Sequence, residues 1–283
     1  MGMEKQNTGF GAGAPEIRRV RHELRQRCLK VVSAIRLTPH MIRVTLTGPE
    51  LEGFVSASPD DHIKIFIPGL DGALVRRDYT PRRYDPVART LVLDFVNHDG
   101  GPGAGWARAA LPGDTLDIGG PKGSQVIAGP VDHWLLIGDE TALPAIGRRV
   151  EELPGQAHVT TVVTVPGAED EQAFVTAARH QAHWMHRPLE QADDATGVLA
   201  ILEKLSIPEG CFVWIGAEAH VARAVRQYLV RQRGVPVQWI KASGYWVKGR
   251  ADASVKNMTG EDWLDTACAP QAGVPAWPAG GKA

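Results

Sequence analysis

Arg77-Asp78-Tyr79-Thr80-Pro81-Arg82 gathers a guanidinium, a phenol ring and a hydroxyl within a few residues. The run follows an alternating apolar segment (Ile63, Ile65, Ile67) and precedes a second strand-like stretch from Leu91 to Val96. On the edge of a β-structure that spacing suits a flavin dinucleotide. The cation meets pyrophosphate, the ring lies against the isoalloxazine, and the hydroxyl reaches a ring nitrogen. The same residues would also suit a strand that ends at Pro81 with its charges in water, so context decides.

A second constellation starts where the Leu91–Val96 run stops. His98-Asp99-Gly100-Gly101-Pro102-Gly103-Ala104-Gly105-Trp106 leads into Ala107, Ala110 and Leu111, a short predicted helix. Glycines ahead of a helix let backbone N–H groups approach phosphate, and the helix dipole favours the anion. The phosphate reading pairs this loop with the Arg-x-Tyr-Thr segment on a neighbouring strand; a plain glycine loop is the alternative. A third candidate is Gly138-Asp139-Glu140-Thr141-Ala142-Leu143-Pro144, between a predicted strand and a helix, where Thr141 is expected to cap the helix and bond a cofactor. It has no Gly-x-Gly-x-x-Gly, so a nicotinamide site rests on the architecture as a whole. Trp214-Ile215-Gly216-Ala217-Glu218-Ala219 takes the equivalent position later. His180, His183 and His186 with Glu190 imitate a zinc set, but three-residue spacing does not put them on one strand face.

The elements that must position these residues fall into two kinds. Short alternating runs (Met41–Leu46, His62–Ile67, Leu91–Val96), separated by Gly and Pro turns, predict an antiparallel barrel. From Pro130 the pattern changes: Trp134–Ile137 is a continuous apolar run, and Leu143, Ile146, Val150 and Leu153 form a helical stripe. Strands at His158–Val165, His183–His186, Phe212–Ile215 and Val237–Ile240 alternate with helices at Glu169–Arg179, Val198–Leu205 and Ala219–Arg233, which predicts an open parallel sheet. The expected division is a flexible arm at residues 1–26, a β-barrel at 27–129, an α/β domain at 130–250 and a tail at 251–283, with one short helix at Gly260–Ala267. The Arg-rich patch from Arg18 to Arg27 reads as a solvated helix face.

The chain has 283 residues, 43% hydrophobic and 22% charged, with a formal net charge of −1. That length accommodates two domains, and the charge balance gives no global field for nucleic acid or an anionic membrane. No apolar run suits a membrane helix, and the N-terminus lacks a secretory core. Cys28, Cys211 and Cys268 stand far apart without a Cys-x-x-Cys pair, which points to reduced cytoplasmic thiols and away from an iron–sulfur cluster. Electrons must then sit on an organic cofactor or on substrate.

Five motifs occur together in order: Arg77-x-Tyr79-Thr80-x-Arg82, Gly101 to Ala107, Gly119-Gly120-Pro121-Lys122-Gly123-Ser124, Asp139 to Pro144, and Gly244-Tyr245-Trp246. In that order and spacing the chain resembles the siderophore-interacting proteins, FAD-dependent ferric-siderophore reductases of the ferredoxin-reductase-like superfamily, from about Leu29 to Asp252. The resemblance implies an FAD-binding β-barrel followed by an NAD(P)-binding-like α/β domain. It implies cofactor positions at Arg77, Asp78, Tyr79, Thr80, Asp94, Val96, His98, Gly101, Gly103, Ala104, Trp106, Asp139, Thr141 and Ala142. It implies that Lys64 and Lys248 meet an anionic ferric siderophore. Ala104 stands where the family usually has Ser or Thr, and Val247 where it usually has a cation, with Lys241 or Arg250 as compensation. The implied donor is NADPH, NADH or a ferredoxin. A flavin converts two-electron hydride chemistry into the single steps that ferric iron accepts. A general flavin or ferredoxin-type reductase and a non-enzymatic siderophore binder are the alternatives.

Overall fold

Isoleucines at every second position need a face from which water is excluded, and the first half of the chain builds one. In the computed structural model, which describes residues 13–69, 72–250, 253–255 and 258, the chain folds into two lobes. The first contains β1 (Glu16–Arg21), β2 (Gln26–Thr38), β3 (Met41–Thr47), β4 (Ile63–Pro68), β5 (Leu74–Tyr79), β6 (Arg83–Asp85), β7 (Thr90–Val96), helix α1 (Pro102–Ala109), β8 (Thr115–Gly119) and β9 (Gly123–Ala128). Seven strands form an antiparallel sheet in the order β5-β4-β8-β2-β3-β7-β6, and β1 pairs with β9 as a separate ribbon. Ile63, Ile65 and Ile67 are at most 1% exposed, while Lys64 and Phe66 on the other face are only partly covered. The sheet curls. Although β5 and β7 stand far apart in strand order, the rings of Tyr79 and Phe95 meet at 4.3 Å between centroids.

The second lobe contains β10 (His133–Gly138), α2 (Leu143–Glu152), β11 (His158–Val165), β12 (Arg179–His186), α3 (Thr196–Lys204), β13 (Cys211–Glu218), α4 (Ala219–Arg231) and β14 (Ile240–Trp246). Its sheet is wholly parallel, in the order β12-β11-β10-β13-β14. Every residue of β13 is buried, as a strand covered on both faces requires. The chain leaves β10 toward β11 and later returns to the other side of β10 as β13. The carboxyl ends of β10 and β13 therefore flank the switch point where such sheets bind ligands. No helix among the described residues is long and apolar enough to cross a membrane.

Local expectations changed in four places. Glu16–Arg21, expected within a loose arm with a helical face, is a strand hydrogen-bonded to β9. The glycine loop is itself helical: α1 begins at Pro102, whose fixed φ suits a first helical position. The helix expected over Glu169–Arg179 is a short 3-10 turn at Ala168–Asp170 followed by irregular chain. Tertiary contacts override its propensity there. Asp170 accepts from the His40 backbone at 2.9 Å and lies 2.7 Å from His40 Nδ1, while Thr176 donates to the Val150 carbonyl at 2.5 Å. The final strand starts at Ile240, because Val237–Trp239, entered through Pro236, is a 3-10 turn that buries Trp239. The Gly260–Ala267 helix lies outside the described residues.

Candidate functional site

The curl of the first sheet sets Tyr79, Phe95 and Trp106 in a row. Tyr79 sits opposite Ile63 on the core side of β5, its ring lies on Phe95, and Phe95 is 5.5 Å from Trp106 between centroids. Burial pushes the Tyr79 phenol well above its ordinary range, so it stays neutral. Its oxygen occupies the space over Gly103: a Cβ built there would overlap Tyr79 Oη. Gly101 is matched in the same way to His98, whose Cε1 would lie 2.5 Å from an added Cβ. His98 is otherwise exposed, with Nδ1 donating to the Asp99 carbonyl at 2.9 Å. No side chain caps α1, and Pro102 has no N–H, so the Gly103 and Ala104 amides at its start have no side-chain acceptor.

Arg77 is half-buried on the Tyr79 side of β5, and Thr80, 8% exposed, follows immediately. Together with the α1 amides they offer a guanidinium, a hydroxyl and two backbone donors beside a neutral aromatic ring. That donor set fits a dinucleotide flavin, and the two missing Cβ atoms make room for the Tyr79 and His98 side chains that border it. Val96 ends β7 beside this row; Ala104 and Trp106 lie on α1. Asp94 departs from expectation. Its carboxylate accepts two hydrogen bonds from Arg43 at 2.7 Å, and Arg82 Nε lies 3.8 Å away, so its side chain is spent on the scaffold. Arg82 itself forms paired 2.7 Å bonds with Glu151 of α2, joining the lobes.

At the switch point, Asp139 is a hub. One oxygen accepts from the Thr141 backbone at 2.9 Å and its hydroxyl at 2.5 Å; the other accepts from the Glu218 backbone at 2.7 Å and Trp246 Nε1 at 2.9 Å. Thr141 therefore does not cap α2. The cap position belongs to Ala142, fully buried and without a side-chain bond. Glu218, which the sequence reading named only as part of the Trp214–Ala219 segment, is fully buried and caps α4 through the His220 amide at 2.5 Å. It also accepts from the Lys248 backbone at 3.1 Å. An acidic residue directly before a helix is a visible capping signal. Glu140, beside Asp139, is buried as well. Burial and the neighbouring Asp139 push its carboxyl up to about 7, against the pull of Arg187 at 2.9 Å.

The lysines expected at the substrate are each paired. Lys64 lies 2.9 Å from Asp78, its cross-strand neighbour, and Lys248 lies 2.7 Å from Asp193 and also meets the Glu190 carbonyl. Lys241 corrects the expectation of a compensating surface cation: it is 6% exposed and bonded to Asp60 at 2.5 Å in the seam between the lobes. Val247 is buried, with Arg250 exposed just after it. The histidines disperse: His180 meets Thr161, His186 meets Glu171, and no cluster of metal-ligating side chains forms among the described residues.

The family profile described as siderophore-interacting FAD-binding domain matches residues 30–75 and 70–125, and that of the siderophore-interacting protein matches 131–249. Among curated proteins, the NADPH-dependent ferric-chelate reductase of Escherichia coli is 33% identical over 81% of this chain and 95% of its own length. The ferric vibriobactin reductase ViuB of Vibrio cholerae is 30% identical over 79% of this chain and 90% of its own. Among solved structures, a siderophore utilization protein from T. fusca superposes with a TM-score of 0.78 at 37% identity, covering 84% of this chain and 98% of that one.

Proposed function

Because this chain belongs to the siderophore-interacting protein family, we propose that it is a flavoenzyme that reduces ferric siderophores with electrons from NAD(P)H. The observation that carries this reading is the cradle made by Tyr79, Gly103 and the uncapped start of α1. FAD held there supplies the conversion between two-electron and one-electron transfer. Arg77 and the α1 amides would hold its pyrophosphate, Thr80 would offer a hydroxyl to its ring, and Tyr79 with Trp106 would keep water from it. His98 folds over the glycine turn and closes the phosphate end. Asp139 and Glu218 fix the geometry of the carboxyl edge, the place where a nicotinamide would be bound. Lys64 and Lys248 line the approach of the chelate. Reduction weakens the hold of the oxygen ligands on iron and frees it.

The related E. coli enzyme is named for NADPH, which favours that donor; a ferredoxin is the alternative source of electrons. The scattered cysteines favour a reducing cytoplasm as the place of action. The test is direct. The purified chain should carry or take up FAD, bleach on adding NAD(P)H, and release ferrous iron from a ferric siderophore to a colorimetric trap. A colourless protein that ignores added FAD overturns the reading. Lys64→Ala should lower kcat/KM for the chelate several-fold while FAD retention stays unchanged; equal loss of both removes Lys64 from the substrate.

A further inference from the structure

β14 is the last strand of the parallel sheet, and the outer side of such a strand carries unpaired backbone groups unless something covers it. Here the chain itself does. After Trp246 it turns through Gly249, at a φ of 75°, with the Arg250 N–H donating to the Val247 carbonyl at 3.0 Å. It then returns antiparallel along β14. Gly244 and Val255 exchange both backbone hydrogen bonds at 2.8 Å, and the Met258 N–H donates to the Ala242 carbonyl at 2.9 Å. Met258 is 1% exposed and Val255 is buried too, so both join the core of the second lobe. A Cβ on Gly244 would lie 2.8 Å from Ala219, the first residue of α4, and 3.2 Å from the Met258 methyl. The missing side chain lets strand, helix start and returning tail pack at one point.

Two residues beyond that point, the Trp246 indole donates to Asp139 at 2.9 Å. Between them, the buried Tyr245 ring meets Trp214 edge-on at 5.9 Å. Glu218, directly before α4, accepts from the Lys248 backbone just after Trp246. Resting on the reductase reading above, we infer that Met258 is a positioning residue for the nicotinamide donor: packed on Gly244, it holds Trp246 against Asp139 and keeps the carboxyl edge of the sheet in its binding shape. The end of an edge strand frays unless both of its sides are paired. A frayed Trp246 takes one of the donors away from a buried carboxylate at the switch point. Met258 packs in the core of the second lobe, whereas Tyr79 and Trp106 pack against that of the first, so its loss leaves FAD retention alone.

Met258→Ala and Met258→Leu are compared with the wild type as FAD-loaded full chains. The Trp246 indole N–H resonance, assigned by its absence from Trp246→Phe, reports the bond to Asp139 without turnover. In Met258→Ala it should move to the position of an indole bonded to water. KM for NADPH should rise on the order of fivefold, with kcat within about twofold and FAD retention unchanged. Met258→Leu keeps the volume of the side chain and should restore both readouts. An indole resonance that stays in place in Met258→Ala overturns the inference and leaves the reductase reading standing. Parallel losses of kcat, FAD retention and melting temperature in Met258→Ala, without recovery in Met258→Leu, show a structural role only and overturn it too. A wild-type chain that oxidises neither NADPH nor NADH overturns the nicotinamide reading and this inference with it.

Discussion

Tyr79 and Gly103 are separated in sequence by a full hairpin, yet the phenol oxygen of one fills the space a side chain of the other would need. Gly103→Ala should therefore displace the ring or the first turn of α1. The expected cost is about 1–3 kcal/mol of stability with a marked loss of flavin affinity, read from a thermal melt and a flavin titration. Glu140 makes a second prediction at this scale. Its folded pKa of about 7 exceeds the ordinary value of 4.5 because burial and Asp139 outweigh Arg187. Its contribution to stability is therefore full below about pH 4.5 and is lost as the pH rises through 7. Glu140→Gln should flatten that slope, so that the variant gains on the wild type by on the order of 1–2 kcal/mol between pH 5 and 8 in urea melts. A steeper slope in the variant would contradict the assignment.

Helix α2 works as a clasp as well as a layer. Arg148 reaches the Ser56 hydroxyl at 2.7 Å, the Ser56 carbonyl at 2.9 Å and the Pro81 carbonyl at 3.1 Å, and Glu151 takes both bonds from Arg82. One helical turn of the second lobe thus holds both ends of the segment that carries Tyr79 and Thr80. Glu151→Ala leaves the Arg82 guanidinium buried beside Asp94 alone and should cost about 1–3 kcal/mol, below the range of a fully buried pair because Glu151 is partly solvated. Arg82→Met/Glu151→Leu should recover much of that loss in chemical denaturation, as expected when an apolar pair replaces a buried ionic one. The Arg82-containing motif was legible in the sequence, but its division of labour was not. Arg77 stays on the Tyr79 side of β5 while Arg82 turns into the seam, since nothing in the spacing says which cation finds a carboxylate from a distant helix.

Across the whole molecule, the seam is closed by Asp60, which accepts from Lys241 at 2.5 Å and Trp214 Nε1 at 3.2 Å, and by the His40–Asp170 contact. Burial raises the Asp60 carboxyl, but the Lys241 charge and the bonds from Lys241, Ser58 and Trp214 together hold it below its usual value of 3.8. The stability it confers is present above about pH 4 and is lost as the pH falls through its depressed folded value. Asp60→Asn strands a buried ammonium, costs about 3–5 kcal/mol, and should separate the melting of the two lobes into distinct calorimetric transitions. A single unshifted transition would show that the pair does not couple them.

Alternation of apolar residues in β3, β4 and β7, the continuous apolar runs of β10 and β13, and the stripe on α2 were enough to determine the fold class, because the periods of strand and helix are written residue by residue. Tertiary structure alone decided which charges are free. Asp94, Asp139 and Lys241 carry the side chains that a ligand site wants, yet each is consumed by a partner tens of residues away. It also decided that residues 171–178, composed like a helix, run irregularly, since Asp170 and Thr176 gain more from His40 and Val150 than from a helical ladder. Pairing depends on distance in space, and sequence spacing does not carry that distance across a two-lobed fold.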